Sequence, residues 1–575
     1  MILQSFHILL ISLVCIFWGL PVVMITHSTR SGAAINTEKI ILSFFTGLSL
    51  ISLFAAWLCL WVPLTWTLLM MGSSLPFFLS IFILRKYGYR ALFKRSASTR
   101  KKNRLDVLLF TVVSIVLFLL LGSNPPSMID TDLYHLQIVR WNHEYGTVPG
   151  LANLYLRYGF YSNWLSMISL FILPFKNENF LYLNITLGIW FLLFLMQRLS
   201  FHLQRYFDSK DSRLFSWIYL FVTILLMAEW GLFRVNASST SYDFIAAVII
   251  LMALLLITED LISGHFSAQA NLLPLLIISA SAPFFKQTSA AIIGVVFVYL
   301  LATRKSKFMF LFFTILILLF IPPFFYRNYV QTGFPLYPYT AFAWGTPDWQ
   351  VPLNMTDRIS RFISLGNKYF DQPLPAIDPP SSFQWMKSWF IYIPKLDKLF
   401  VVLALTGLPV FFFYARKKLR KKTGLVYIYA SCWLALCLWF LLFPAPRFAY
   451  GYLLFLASFP LSFVATRFLN QNFISVSLYI LTACIIFYGA GKWNKNNSIA
   501  PANTNNPEIS KVTINHSIYN LPIRSSGNPD LRCSYSPLPC LYETNPYLEQ
   551  RGDNLKKGFR MNNNIDSAFI INYGY

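Results

Sequence analysis

Charge is scarce in this chain. Only 12% of its 575 residues are Asp, Glu, Lys or Arg and 56% are hydrophobic, where soluble domains carry roughly a quarter charged residues. That excludes an ordinary water-soluble globule. Acid is scarcer still: 23 Asp and Glu stand against 47 Lys and Arg, a net charge of +24. Nucleotide and zinc-hydrolase signatures are missing. There is no P-loop, no GxGxxG at a strand–helix junction, no HExxH and no CxxC. No internal repeat is found, and charges sit at the ends of apolar runs rather than within them, which argues against a transporter. The N-terminus, MILQSFHILLISLVCIFWG, has no basic n-region, so it reads as a retained first helix rather than a cleaved signal.

What is present is a series of long apolar runs. A spanning helix needs about 20 apolar residues, and clear candidates begin near Ile8, Ile40, Trp66, Leu105, Phe180, Leu214, Phe244, Phe308, Leu399, Gly424, Tyr452 and Phe473. The chain is therefore an all-α polytopic membrane protein. Its aromatic content of 18%, with 55 Phe, suits lipid-facing helices and interfacial belts. The excess positive charge does not indicate nucleic acid, because it is concentrated in short loops. RKYGYRALFKRSASTRKKNR (85–104) holds nine basic residues and no acid, and ARKKLRKK (415–422) holds six. Such loops mark the cytoplasmic side.

Two stretches are ambiguous, and parity arbitrates between them. With both basic loops and RKSK (304–307) inside, residues 123–163, residues 324–392 and the tail after Trp493 lie outside. One threading makes WLSMISLFILPF (164–175) a span and residues 272–303 a single helix. The preferred one lays 164–175 along the interface and makes 272–303 a pair of helices turning near Lys286, which spares that lysine the bilayer centre. Either gives about 14 spans. Five cysteines (Cys15, Cys59, Cys432, Cys437 and Cys484) fall in apolar segments and read as small core hydrophobes. Cys533 and Cys540 stand apart in the polar tail; outside the cytoplasm they can pair, and two cysteines are too few for a zinc site.

The candidate chemistry gathers on the outside face. In DTDLYHLQIVRWNHEYG (130–146), Tyr134, Ile138, Trp141 and Tyr145 form one helical face, while Asp132, His135 and His143 fall away from it. This suits a helix lying on the outer leaflet with its polar side in water. Asp130 can simply cap that helix, and Asp132 can simply meet the helix dipole. The functional alternative is a carboxylate at the lipid boundary acting as a general base on an acceptor hydroxyl. The leaving lipid phosphate would then need cations. Arg157, Lys286, Arg327 and Arg447 all map to that side, each with snorkelling as its plain explanation. Asp243 opens a later helix as a second acid, where helix N-terminal placement is its plain explanation. His135, three residues after Asp132, can orient it, join a metal site or be a solvated surface histidine. Asp348 and Glu229 are weaker candidates.

This order of residues resembles the GT-C superfamily, integral-membrane glycosyltransferases that use polyprenyl-phosphate sugars. The similarity is greatest to lipid A aminoarabinose transferases and protein O-mannosyltransferases. FKQTS resembles a TKG-like turn of that superfamily, with Gln in place of Gly. The stretches YHLQIVRWNHEYGTVPGLANLYLR and RNYVQTGFPLYP, with PLPC and RGDNLKKGF in the tail, also look like a group of uncharacterised bacterial membrane proteins. The resemblance implies Asp130 or Asp132 as first-loop acid, Asp243 as second acid, and Arg157 and Lys286 at the donor phosphate. Three spans precede the first-loop module, where the family usually has one.

The expectation is therefore an inverting transferase in the cytoplasmic membrane of a bacterium, facing out. It would move a sugar from a polyprenyl-phosphate donor to a glycan or lipid acceptor. Asp132 is the first choice of base and Asp130 the next, with Arg157, Lys286 and Arg447 on phosphate. A divalent metal between the acids is a further option with few assignable ligands. The rivals are an O-antigen polymerase or ligase, and a flippase of lipid-linked sugars. By segment, residues 1–104 hold the first helices and the basic loop, and 105–323 the catalytic module. Residues 324–396 form a large outside loop, 397–492 the last helices and 493–575 the extracytoplasmic tail.

Overall fold

The computed structural model describes residues 2–27, 36–87, 105–122, 126, 128–173, 182–229, 236–263, 268–304, 307–369, 383, 385–418, 423–495, 507–523 and 532–562. Most of the basic loop 85–104, the end of the basic run 415–422 and the last thirteen residues lie outside them.

Four helices open the chain: α1 (Ile2–His27), α2 (Thr37–Leu58), α3 (Trp66–Tyr87) and α4 (Leu105–Gly122). Two short ones follow, α5 (Leu136–Glu144) and α6 (Asn163–Leu170). The centre of the bundle is α7 (Tyr182–Gln204), α8 (Lys210–Ala228), α9 (Tyr242–Ser263), α10 (Ala268–Phe285), α11 (Ala291–Ala302) and α12 (Lys307–Thr332). Then come α13 (Leu353–Gly366), α14 (Trp385–Tyr392), α15 (Lys395–Lys418), α16 (Thr423–Leu442), α17 (Tyr450–Phe468) and α18 (Gln471–Lys495). Among the described residues eleven helices are long and apolar enough to cross a bilayer. The other stretches read as spans fold as the shorter α10 and α11, separated by a 3-10 turn at Gln287–Ser289, and as α15.

The packing follows from composition. Helix α9 is apolar on every side and buried on every side, the pattern of a helix surrounded by others. It touches α7, α8, α10, α16 and α17. Helices α1 and α2 cross at their backbones: a Cβ on Gly19 would stand 1.9 Å from the Ser43 carbonyl oxygen, and one on Gly47 1.8 Å from that of Cys15. Only glycine permits that approach. Met71, Phe78, Leu434 and Phe487 are exposed on the outside of the bundle, the position of lipid contact. Cys437 and Cys484 share that outer surface, so they are not the core residues expected of them; Cys15, Cys59 and Cys432 are buried.

At one end of the bundle the charges are buried as a network. Arg198 meets Glu38 at 3.2 Å and Glu259 at 3.1 Å, while His202 Nε2 and the Tyr219 hydroxyl engage Glu259 at 2.8 and 2.9 Å. This ties α2, α7, α8 and α9 together.

The opposite end carries the connections between helices and the tail. Strands β1 (Glu508–Ile514) and β2 (Ser517–Ile523) form an antiparallel hairpin. Asn515 and His516 turn it, both at positive φ, as a two-residue hairpin loop requires. Strands β3 (Leu548–Gln550) and β4 (Phe559–Met561) form a second small pair. Cys533 and Cys540 are joined by a disulfide, Cα–Cα 6.1 Å.

The segment 130–146 is not a surface helix. Leu136, Gln137, Ile138, Val139, Trp141 and Asn142 are all buried. One side lies on α6, where the Ser169 hydroxyl donates to the Val139 carbonyl at 3.0 Å. The tail covers the other. Gln137 donates to the carbonyls of Ser534 and Ser536, Arg140 donates to that of Tyr535 at 2.8 Å, and Trp141 meets the Phe559 ring. Helix α6 is likewise buried throughout, neither a span nor an interfacial helix.

Candidate active site

Five charged side chains converge where the connections meet. Asp130 precedes a single π turn, Thr131–His135. Its backbone is helical and its side chain makes no capping bond, so the carboxylate is not committed to the helix start. Asp130 Oδ1 lies 3.7 Å from Arg157 Nη1, and Oδ2 lies 3.5 Å from Arg447 Nη1. Arg447 Nε reaches Asp243 Oδ2 at 3.3 Å, and Lys286 Nζ donates to Asp243 Oδ1. Two carboxylates are thus shared by three cations.

Each member is held by its own element. Asp243 sits in the first turn of α9, behind a buried run of Ser238, Ser239, Thr240 and Ser241. Lys286 occupies the break between α10 and α11, where the chain is extended. Its ammonium lies 3.6 Å from the centre of the Phe448 ring and 5.1 Å from that of Tyr242. Arg447 stands in the 3-10 turn Pro446–Phe448. That turn is fixed by two indoles, Trp389 Nε1 donating to the Pro444 carbonyl at 2.7 Å and Trp439 Nε1 to that of Ala445 at 2.9 Å. Arg157 lies in the turn Leu156–Gly159, held by the Tyr337 hydroxyl on the Leu156 carbonyl at 3.0 Å, and it stacks over Phe362 at 5.2 Å.

These groups line a cavity of about 1450 Å³. Its remaining walls are mostly apolar, among them Phe160, Phe284, Ile321, Phe325, Leu438 and Leu442. Charged groups and apolar walls around one cavity suit an amphiphile. Burial pushes the Lys286 ammonium down to about 8; nearby Arg447 acts in the same sense, and Asp243 opposes both. His135 also lines the cavity, with Nδ1 3.1 Å from the Thr240 hydroxyl. Burial lowers its pKa to about 4, so it is neutral near pH 7.

The structure brings together Asp130, Asp243, Arg157, Lys286, Arg447 and His135. It does not bring in Asp132 or Arg327. Asp132 is buried away from the cavity lining, and its carbonyl accepts from Ser534 N at 2.8 Å. Arg327 lies inside α12, fully buried. It donates to Cys59 Sγ at 3.0 Å, the Ser166 hydroxyl at 2.7 Å and Asn142, and stacks on Tyr161. It therefore stitches helices together and does not face a ligand. Asp348 pairs with Arg551 of the tail at 2.8 and 2.9 Å. Among the described residues no group of three or more His, Cys, Asp and Glu could hold a metal ion.

Sequence reasoning missed Tyr134 and Tyr242, whose hydroxyls meet at 3.1 Å, and Phe448 and Lys368, which also line the cavity. Phe448 adjoins Arg447, and an aromatic beside a cation is a usable signal. Lys368 follows an amphipathic helix with nothing in its own surroundings to single it out.

The family described as "Domain of unknown function (DUF8201)" matches residues 1–454, which include all five members of the charged cluster. The chain belongs to that family. No curated protein and no solved structure matches it.

Proposed function

We propose that this protein is an integral-membrane glycosyltransferase of the GT-C kind, acting outside the cytoplasm on a polyprenyl-phosphate sugar. The carrying observation is the cluster of three cations on two carboxylates in the wall of a mostly apolar cavity. Its formal balance is one positive charge, which complements the single negative charge of a lipid–phosphate–sugar diester.

Asp130 is the base in this reading, in place of Asp132. Its contacts to Arg157 and Arg447, at 3.7 and 3.5 Å, are longer than charge-assisted hydrogen bonds of about 2.7–2.9 Å. Both guanidiniums can turn to a phosphate while leaving the carboxylate beside it. Asp130 then takes the proton of an acceptor hydroxyl as that oxygen attacks the anomeric carbon. The bond from anomeric carbon to phosphate oxygen breaks, its electron pair stays on the phosphate, and Arg157, Arg447 and Lys286 meet the growing charge. Direct displacement inverts the anomeric centre. Asp243 holds Lys286 and Arg447 in place. The apolar walls accept the isoprenoid chain, and position at a helix-end junction rather than mid-bundle favours a transferase over a carrier.

The test is a turnover assay on purified protein in lipid, following release of free polyprenyl phosphate from a pool of polyprenyl-phosphate sugars. Release by the wild type and its loss in Asp130→Asn are expected. Movement of intact lipid-linked sugar between leaflets without release would replace the transferase by a carrier.

A further inference from the structure

A fourth cation enters the same cavity. Lys368 lines it from the turn that follows α13, and its ammonium lies over the Trp385 ring at 5.2 Å. The cavity holds only two carboxylates among the described residues, Asp130 and Asp243, and both are engaged by the other three cations. Lys368 is half-buried and meets no carboxylate among the described residues. Even partial burial of an ammonium without a counter-charge is unfavourable. The three-to-two cluster already balances a phosphodiester, so this extra charge calls for a second anion.

The surroundings of Lys368 say what kind of molecule carries it. Ser360, Ser364 and Asn367 line the cavity on the same stretch, and Tyr369 adjoins them. Hydroxyl and amide groups beside aromatic rings form a surface for a saccharide rather than an isoprenoid. The stretch is also linked to the reaction centre, because Phe362 of α13 lies under the Arg157 guanidinium. A diphosphate donor would need its second cation beside Arg157 and Arg447, whereas Lys368 stands among groups that suit sugar hydroxyls.

We infer that the acceptor is a saccharide bearing one anionic group, a carboxylate or a phosphate, and that Lys368 binds that group. This rests on the transferase reading above and supplies its second substrate.

The experiment uses full-length protein in lipid nanodiscs and titration calorimetry with four probes: n-hexyl β-glucoside, n-hexyl β-glucuronide, n-hexyl β-glucoside 6-phosphate and farnesyl phosphate. One or both anionic glycosides should bind about tenfold more tightly than the neutral one, the size of one charge-assisted contact. The glycoside that gains identifies carboxylate or phosphate. Lys368→Gln should abolish the gain and Lys368→Arg should retain most of it. Farnesyl phosphate should bind Lys368→Gln as it binds wild type, and bind Arg447→Gln at least tenfold more weakly. Equal binding of all three glycosides overturns the inference. Weakened farnesyl phosphate binding by Lys368→Gln also overturns it, by placing Lys368 on the donor. Failure of farnesyl phosphate to bind wild type would instead remove the donor assignment, whatever the glycosides do.

Discussion

Replacing Arg447 by Gln separates the fold from the chemistry. The guanidinium is 3.5 Å from Asp130 and 3.3 Å from Asp243, and its side chain is 47% exposed toward the cavity. In so open a setting each attraction is worth about 1 kcal/mol, and ordering the long side chain offsets part of it. After the change Asp243 keeps Lys286 and Asp130 keeps Arg157, so neither carboxylate is stranded. The stability cost should be about 1 kcal/mol or less. The chemical cost should be far larger, because a donor aimed at developing charge contributes about 10²–10³ in rate. Lys286→Met is the contrast. Asp243 is buried and Lys286 nearly so, and the change leaves Asp243 with only a half-exposed partner, a loss of about 3–5 kcal/mol. Thermal melting in nanodiscs beside single-turnover release of polyprenyl phosphate reads both quantities. If Arg447→Gln melts as low as Lys286→Met, or keeps most of its single-turnover rate, the division of labour argued here is wrong.

Asp130→Asn should lose turnover by at least 10²-fold while Asp132→Asn keeps it within a few-fold, since only Asp130 lines the cavity; the reverse order in the same assay would restore Asp132 as base. With the Lys286 pKa held near 8 by burial, below its ordinary 10.5, the unfolded chain binds more protons between those values. Stability should therefore rise with pH from about 8 toward 10.5, while activity that needs the ammonium falls through pH 8; parallel melting and rate profiles check the opposite signs. His135, held near 4 rather than 6.5, binds its proton less readily folded than unfolded, so stability should fall as pH drops from 6.5 toward 4, and His135→Gln should flatten that slope. Cys533→Ser with Cys540→Ser removes a bridge across a short loop, worth about 2–3 kcal/mol, and should lower turnover because Ser534 within that loop holds the Asp132 carbonyl; unchanged melting and turnover would reduce the tail to a bystander.

The helices themselves were legible because long apolar runs have one outcome in lipid. The break at Lys286 was legible for the same reason, since a lone cation within one long helix is costly and a turn there relieves it. The threading grouped Arg157, Lys286 and Arg447 with the acids, and the structure places these three cations with Asp130 and Asp243. What stayed illegible was burial supplied from far along the chain. Arg327 looked like a cation just beyond a span, but α12 runs on to Thr332 and carries it into contact with Cys59, Ser166 and Asn142. Cys437 and Cys484 looked like core residues because apolar segments do not reveal which side faces lipid. Lys368 gained its interest only from the cavity it enters.

The choice between Asp130 and Asp132 turns on the same point. Two residues along this helical turn rotate a side chain by about half a turn, so the two carboxylates face nearly opposite ways and cannot both meet one ligand. Periodicity correctly found an apolar face through Tyr134, Ile138 and Trp141, and the other face was then free to be read as solvent-facing. The tail closes that face. Gln137 reaches Ser534 and Ser536, Arg140 reaches Tyr535, and the Asp132 carbonyl receives Ser534 N, contacts spanning nearly 400 positions in sequence. With that side sealed, the π turn at Thr131–His135 leaves Asp130 at the cavity and places Asp132 under the tail. In the proposed mechanism the tail thus decides which acid can act, and a tail that is loosened rather than removed should degrade catalysis before it unfolds the bundle.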